Sequence, residues 1–238
     1  MEKKVLFIIP AYNEESNILE TVNKISSYAK KNKVSYDFIV INDGSTDKTK
    51  EVCKKNNIPN ITLIHNLGIG GAVQTGYKYA LENGYDIAIQ FDGDGQHDIK
   101  YAKKLIDTID ENIDLVIGSR YITDNKSKFQ STFMRRVGST CIKKCIKLFT
   151  KETITDPTSG FRAASKKVIE EFALSYPIEY PEPISIVELL KKKYKIKEIP
   201  VNMNERIGGE SSIRAWKCAY YMINVCLSIF FVFMRGDK

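Results

Sequence analysis

The stretch "IAIQFDGDGQHD" places three carboxylates close together, directly after a short apolar run. Asp92 and Asp94 are separated by a single glycine, Gly93, so in an extended or turning backbone their carboxylates can bracket one point. Such hard oxygen ligands suit Mg²⁺ or Mn²⁺, and Mg²⁺ in proteins commonly bridges carboxylates to substrate phosphates. The pair therefore predicts a metal site for a diphosphate-bearing substrate. Asp98 is interpreted differently, as the N-cap of a following helix.

The elements that position these acids alternate along the first half of the chain. The apolar runs "VLFIIP", "YDFIVIN", "ITLIH", "DIAIQFD" and "DLVIGS" predict buried strands, and helical patterns at 18–31, 46–56, 70–83 and 99–109 lie between them. This alternation predicts an α/β fold with a mostly parallel sheet and helices on both faces.

Polar or glycine-rich turns follow each predicted strand: "PAYNEE", "NDGSTD", "HNLGIGGA", "DGDGQHD" and "GSRY". Each turn alone can be purely structural, since Asn and Asp cap helices and Gly makes turns. In a parallel sheet, however, all the carboxyl ends meet at one edge, where ligands bind. The convergence favours a ligand site at that edge.

Composition narrows the class of protein. The chain has 238 residues and a net charge of +7, which makes an anionic partner plausible. Its five cysteines form no CxxC pair and it has two histidines, so a Cys/His zinc site is disfavoured and a reducing compartment is expected. The start, "MEKKVLFIIPAYNEE", is interpreted as a first strand and not a signal peptide. No nucleic-acid-binding motif is present, so nucleic acid is not an expected partner.

Taken together, "IIPAYNEE", "VINDGSTDKT", "NLGIGGAVQTGYKYA", "FDGDGQHD", "GSRY" and "DPTSGFRA" resemble the family 2 glycosyltransferases, which have the GT-A fold. The resemblance covers roughly residues 4–165 and extends to 213. Within the family it is nearest to polyprenyl-phosphate glycosyltransferases, the group that includes dolichyl-phosphate mannosyl synthases. It implies a catalytic domain at 1–212 and a C-terminal segment at 213–238.

The resemblance also implies roles for individual residues. Donor and acceptor binding is expected of Pro10, Ala11, Tyr12, Asn13, Glu14, Asp43, Ser45, Gly70, Gly71, Asp92, Gly93, Arg135, Arg136 and Arg206. Asp92, Asp94 and Gln96 are the implied ligands of Mg²⁺ or Mn²⁺, and Gln96 has an alternative role as a helix cap. The implied catalytic residues are Asp94, Asp156, Arg120 and Arg162.

Members of this family invert the anomeric carbon while a nucleoside diphosphate leaves, and cations stabilise the charge that grows on it. The acceptor decides whether a base is needed: a sugar hydroxyl must lose a proton, whereas a lipid phosphate is already ionised. Asp156 and Glu182 are the candidate bases, although Asp156 could equally cap a turn. Ser185 stands where related sequences often carry an acid.

Two segments suggest a membrane. Residues 126–151 hold eight Lys/Arg and no acid, with Phe133, Val137, Cys141, Cys145 and Leu148 at helical spacing, which predicts a basic amphipathic helix at an anionic bilayer or else a surface helix with a core-facing stripe. Residues 218–234 carry no charge but are short for a spanning helix. They are interpreted as lying in the membrane face or binding a partner, with a core helix as the third possibility.

The resulting hypothesis is a metal-dependent inverting glycosyltransferase of cell-envelope polysaccharide synthesis. It would move a sugar, expected from a UDP-sugar donor, to undecaprenyl phosphate at the cytoplasmic face of the cell membrane. Two alternatives stay open: transfer to a saccharide hydroxyl, and a non-catalytic nucleotide-sugar-binding or membrane-tethering module. A small membrane-protein partner or a homo-oligomer is compatible with the apolar C-terminal segment.

Overall fold

The computed structural model describes residues 3–93, 95–122, 133–202 and 215–235, with backbone only at 133–137 and 215–219. Its strands are β1 (Val5–Ala11), β2 (Tyr36–Asn42), β3 (Asn60–Thr62), β4 (Ile87–Gln90), β5 (Leu115–Ser119), β6 (Arg162–Ser165) and β7 (Ile196–Pro200). Its helices are α1 (Ile18–Asn32), α2 (Thr49–Lys55), α3 (Gly68–Glu82), α4 (Ala102–Thr108), α5 (Phe133–Thr150), α6 (Lys166–Leu174), α7 (Pro181–Lys191) and α8 (Ala215–Met234).

The strands form one sheet in the order β3-β2-β1-β4-β6-β5-β7. Every pairing is parallel except those of β6, which runs antiparallel to both β4 and β5. The mostly parallel sheet predicted from the sequence is therefore confirmed. Because Arg162 opens the antiparallel strand opposite Gln90, it lies at the same edge as the carboxyl ends of the parallel strands.

Helices cover both faces of the sheet, each over its own apolar core. On one face α1, α2 and α4 bury residues such as Ile25, Cys53 and Leu105. On the other face α3, α5, α6, α7 and α8 pack around the large buried rings of Tyr77 and Phe172. The sheet is thus apolar on both sides, as parallel sheets usually are, and polar groups are left to its edges.

Helix α5 faces the core with a different stripe from the one the sequence suggests. Ile142 and Ile146 are buried, whereas Leu148 is 73% exposed and Cys141 points away from the core toward α8. Of the predicted stripe, Cys145 packs partly buried against this core, whereas the side chains of Phe133 and Val137 lie outside the described residues. The two buried isoleucines each follow a stripe cysteine by one residue and so lie about 100° further round the helix. Gly138 allows the close crossing, since a Cβ there would lie 2.7 Å from the sulfur of Met222 on α8.

Helix α8 is only half covered. Val225 and Ile229 are buried against α5 and α7, and the ring of Tyr221 packs edge-on against Tyr180. The opposite face presents a row of exposed apolar side chains, Tyr220, Ile223, Leu227, Phe230, Phe231 and Met234. In the ranges given above, no helix combines the length and apolarity needed to cross a bilayer. Spanning C-terminal helices are therefore not seen in this part of the chain.

Candidate active site

A cleft of about 440 Å³ opens at the carboxyl edge of the sheet. It runs from the turn after β2, across β1, to the end of β4 and the first turn of α7. Its lining residues are Pro10, Ala11, Tyr12, Glu14, Asp43, Asn66, Gly68, Ile69, Ala72, Asp92, Gly93 and Glu182. The sequence predicts most of these, and the structure brings them together from five separate segments.

The turns after β1 and β2 are tied to each other by side-chain hydrogen bonds. The backbone N–H of Asn13, a residue with φ 56°, donates to Ser45 Oγ at 2.9 Å, and Asn13 Oδ1 accepts from the N–H of Thr46 at 2.9 Å. The N–H of Glu14 donates to Thr49 Oγ1 at 2.9 Å. Asn13 and Ser45, predicted to bind substrate, do not line the cleft but hold Tyr12 and Glu14 in place.

Asp43 is almost fully buried and anchors the start of α3, because its Oδ1 accepts from the N–H of Leu67 at 2.7 Å. Gly68 and Ile69 then line the cleft. Gly70, expected to approach a nucleotide, instead meets protein: a Cβ there would lie 2.4 Å from the carbonyl oxygen of Pro177.

Gly71 also meets protein, since its Cβ would lie 2.5 Å from that of Leu67. Neither Gly70 nor Gly71 lines the cleft, so packing accounts for both.

Asp92 is held from three sides at the end of β4. Its N–H donates to Nδ1 of the buried His97 at 3.1 Å, which leaves Nε2 of the neutral ring as the donor facing the Asp92 carboxylate at 3.4 Å. The ring of His97 stacks on Phe161 with centroids 4.7 Å apart. Gly160 passes so close that a Cβ would lie 3.0 Å from Asp92 Oδ2. These contacts fix the carboxylate toward the cleft.

The cleft supplies hard oxygen ligands of the kind Mg²⁺ and Mn²⁺ prefer. The Asp92 carboxylate faces the cleft with 33% of its side chain exposed, and Glu14 and Glu182 lie in the same wall. Asp94, the second predicted ligand, lies outside the described residues. Among those that are described, no three-residue His/Cys/Asp/Glu cluster suited to a metal is found, and Gln96 does not line the cleft.

Arg120, beyond the end of β5, is locked by Asp156. Its Nε and Nη2 donate to the two oxygens of this fully buried carboxylate at 2.7 Å each, and its backbone N–H donates to Oδ2 at 3.0 Å. Burial alone would lower the pKa of Arg120, but Asp156 outweighs it and raises that pKa. Glu198 on β7 accepts the N–H groups of Thr155 and Asp156 at 2.6 and 2.7 Å. Asp156 thus works here as an anchor for a cation.

Arg162 is completely buried beneath the other end of the cleft. Its guanidinium donates to the carbonyl oxygen of Ser159, to Ser185 Oγ and to the carbonyl oxygen of Glu182, and it forms no ion pair with a described carboxylate. Ser185 therefore serves as a hydrogen-bond acceptor that holds α7. Burial raises the pKa of the Glu182 carboxyl, Arg162 opposes that rise and Asp92 adds to it.

Some predicted residues lie elsewhere, and some site residues carry no sequence signal. Arg206 and the side chains of Arg135 and Arg136 lie outside the described residues. Asp98 caps the 3₁₀ turn after β4 as predicted, its Oδ1 accepting from the N–H of Lys100.

Sequence reasoning missed Glu198, which lies in an edge strand without a motif. It also passed over Asn66, although this residue belongs to the glycine-rich turn "HNLGIGGA".

Comparison with known proteins agrees with this geometry. Residues 6–172 match the family model described as Glycosyl transferase family 2. The chain is 33% identical to the UDP-N-acetylglucosamine–dolichyl-phosphate N-acetylglucosaminyltransferase of Methanococcus voltae, over 84% of this chain and 85% of that protein. It is 31% identical to the dolichol-phosphate mannosyltransferase of Pyrococcus furiosus, over 93% of this chain but only 62% of that longer protein.

Among solved structures, glucosyl-3-phosphoglycerate synthase from Mycobacterium tuberculosis, crystallised with Mn²⁺, UDP and phosphoglyceric acid, superposes with a TM-score of 0.74. The match covers 99% of this chain and 80% of that one. Because the identity is only 17%, it supports a shared fold and nothing further. The family match spans more than half of the chain and includes the β1, β2 and β4 turns that build the cleft. The chain therefore belongs to the family 2 glycosyltransferases and is a glycosyltransferase enzyme.

Proposed function

We propose that this enzyme transfers a sugar from a nucleoside-diphosphate donor to a polyprenyl phosphate. The observation that carries the proposal is the cleft itself, in which Asp92 faces a site that continues on one side to Asp43 and on the other to Glu182. This order along the sheet edge suits a ligand of three linked parts: a nucleoside over β1 and β2, a diphosphate at β4, and a sugar toward α7.

Asp92 and Asp94 would hold Mg²⁺ or Mn²⁺, which when bound neutralises charge on the departing diphosphate. The chain's own residues orient the reactants. Tyr12 is half exposed and can pack on the base. Gly93 has no side chain and therefore lies close against the carbonyl oxygen of Pro10. Arg120 adds positive charge close enough to Asp92 for each to affect the other. A uridine donor is favoured by the name of the M. voltae relative, which specifies UDP-N-acetylglucosamine.

Support for a lipid-phosphate acceptor comes from the relatives and from α5 and α8. Both relatives named above act on dolichyl phosphate by name. Helices α5 and α8 contain no acidic residue, and α8 presents an exposed apolar face. Such a surface suits the face of an anionic bilayer, from which a polyprenyl phosphate would reach the cleft. We place the enzyme on the cytoplasmic face, where nucleotide sugars are made.

A transfer assay tests the proposal. The purified protein is incubated with Mg²⁺ or Mn²⁺, undecaprenyl phosphate and a panel of radiolabelled UDP- and GDP-sugars, and the label is extracted into organic solvent. We expect extractable label from at least one donor, and none when the lipid phosphate is omitted.

Label that reaches only water-soluble saccharides would favour a hydroxyl acceptor. Absence of transfer with every donor and either acceptor class would contradict an enzymatic role for this cleft.

A further inference from the structure

Lys143 on α5 is a half-buried cation that lies over the ring of Tyr121. Its Nζ lies 3.9 Å from the ring centroid of Tyr121, and it forms no ion pair with any carboxylate among the described residues. A lysine on a helix surface ordinarily extends into water, whereas this one folds back over an aromatic face. Tyr121 thus fixes the position of the ammonium group.

The charged groups around Lys143 are already engaged with other partners. Both carboxylate oxygens of Asp156 accept hydrogen bonds from Arg120, and both carboxylate oxygens of Glu198 accept from backbone N–H groups. Burial lowers the pKa of Lys143 and Arg120 lowers it further, against the opposing effects of Asp156 and Glu198. Burial thus removes part of the hydration of the ammonium group without pairing it to a carboxylate among the described residues, and the oxygens of an incoming phosphate would accept its N–H groups.

The position of Lys143 relates it to both the cleft and the apolar helix face. Tyr121 follows Arg120 at the end of β5, which shares its edge of the sheet with Asp92. The helix that carries Lys143 also packs on α8 through Cys141, which lies 3.7 Å from Cys226 between the two sulfurs. The ammonium group thus lies near α5 and α8 at the end of β5. In the sheet order this position is on the opposite side of Asp92 from Asp43.

Resting on the transfer to a polyprenyl phosphate proposed above, we infer that Lys143 binds the phosphate of the acceptor lipid while the ring of Tyr121 holds the ammonium in position. Nothing covalent happens at this residue: its N–H groups donate charge-assisted hydrogen bonds to phosphate oxygens. The donor diphosphate is a less suitable occupant, since it belongs with Asp92 on the other side of Arg120. Lys143 is thus a substrate-binding residue, not an acid or base.

The test compares Lys143→Met with Lys144→Met, because Lys144 is the exposed neighbour on the same helix. We expect Lys143→Met to raise KM for a short-chain polyprenyl phosphate by about tenfold or more, as the loss of one charge-assisted hydrogen bond would. KM for the nucleotide sugar should stay unchanged, and Lys144→Met should resemble the parent enzyme. Unchanged acceptor KM in Lys143→Met would overturn the inference.

A second variant, Lys143→Arg, is compared with the parent enzyme for the pH dependence of acceptor affinity. A purely structural role for Lys143 would leave this pH dependence unchanged. Because the pKa of Lys143 is lowered, acceptor affinity of the parent enzyme should decline with rising pH before that of Lys143→Arg, whose guanidinium stays charged. Identical pH profiles would count against phosphate binding by the ammonium.

Equilibrium binding of a fluorescent short-chain polyprenyl phosphate separates this inference from the proposed reaction. If no transfer occurs but the parent protein binds the lipid and Lys143→Met does not, the result supports the phosphate site at Lys143 and contradicts the proposed sugar transfer. Equal binding by both proteins overturns the site. Inorganic phosphate serves as competitor: displacement at the same concentration as the lipid would show a free-phosphate site and overturn the inference of a lipid acceptor.

Discussion

Among the individual residues, Asp156 has a geometry that favours anchoring over proton transfer. Its carboxylate is fully buried and both oxygens accept from the Arg120 guanidinium. Asp156→Asn removes that charge and leaves Arg120 without its partner. We expect the free energy of unfolding to fall by about 3 kcal/mol, the usual cost of breaking a buried pair, and turnover to fall with it.

Denaturant unfolding measures the loss, with Asp98→Asn as control because Asp98 pairs with Lys100 near the surface. A stable Asp156→Asn protein that has lost activity only with hydroxyl acceptors would instead support a role as base.

Glu182 should lower stability at neutral pH, since burial raises the pKa of its carboxyl above the ordinary value of 4.5. The folded protein holds this proton more tightly than the unfolded chain, so ionisation costs stability as pH rises through the ordinary value toward the raised one. Glu182→Gln should therefore raise Tm at about pH 7.5 and lose that advantage near about pH 4, where both states are protonated.

Thermal unfolding at the two pH values checks this, with the exposed Glu179→Gln as control. A gain that is equal at both pH values would contradict an ionised, partly buried Glu182. Since Glu182 lines the cleft, we also expect Glu182→Gln to transfer sugar more slowly.

Residues with chemical motifs were predictable, and residues that only support them were not. "FDGDGQHD" and "PAYNEE" identify Asp92 and Tyr12, because acids and turn residues grouped at the ends of buried strands usually meet a ligand there. Gly70 was expected at the nucleotide because a glycine looks the same whether ligand or protein approaches it, and only the structure shows the Pro177 carbonyl. Glu198 gave no signal, because its role depends on a backbone that is distant in sequence.

Between helices, the packing of α5 on α8 can be tested through their cysteines. The sulfurs of Cys141 and Cys226 lie 3.7 Å apart, so a small rotation brings them to bonding distance. Oxidation with diamide, which takes up the two hydrogens, should give an intramolecular disulfide from Cys226 to α5. Peptide mapping of a Cys145→Ser variant should then find Cys141 joined to Cys226.

Cys53 provides the internal control, because it is buried in the core on the other face of the sheet and should stay reduced. Failure to recover any bond between α5 and α8, while the protein stays folded, would contradict the packing of these helices.

The long parallel strands were predictable from their unbroken apolar runs, whereas β6 and β7 were not. Strand β6 is the short run "RAAS", which has neither alternation nor a large apolar residue, and it inserts antiparallel between β4 and β5. Strand β7, "IKEIP", lies at the sheet edge and is only partly buried. Tertiary contacts decide both strands, so local pattern alone could not.

For the molecule as a whole, the exposed apolar face of α8 and the acid-free composition of α5 and α8 predict binding to anionic vesicles. Replacing Leu227 and Phe231 together by Asn removes two exposed apolar side chains from that face. We expect the partition coefficient for vesicles containing phosphatidylglycerol to fall by at least about tenfold, given roughly 1.5 kcal/mol or more per large side chain.

Vesicle sedimentation measures the change, and Leu174→Asn is the matched control because Leu174 is exposed on α6, away from α8. Binding should also weaken as salt rises, since basic residues contribute. Equal partitioning of the double variant and the parent protein would contradict membrane binding by this face.

The proposed reaction requires that a metal-held diphosphate lies against Asp92 during transfer. Crystals of the protein grown with Mn²⁺ and a nucleotide sugar, measured at the manganese absorption edge, show whether it does. We predict an anomalous peak within coordination distance of an Asp92 oxygen and a diphosphate oxygen, with the sugar directed toward Glu182. A bound nucleotide sugar whose diphosphate and manganese both lie away from Asp92 would contradict this arrangement.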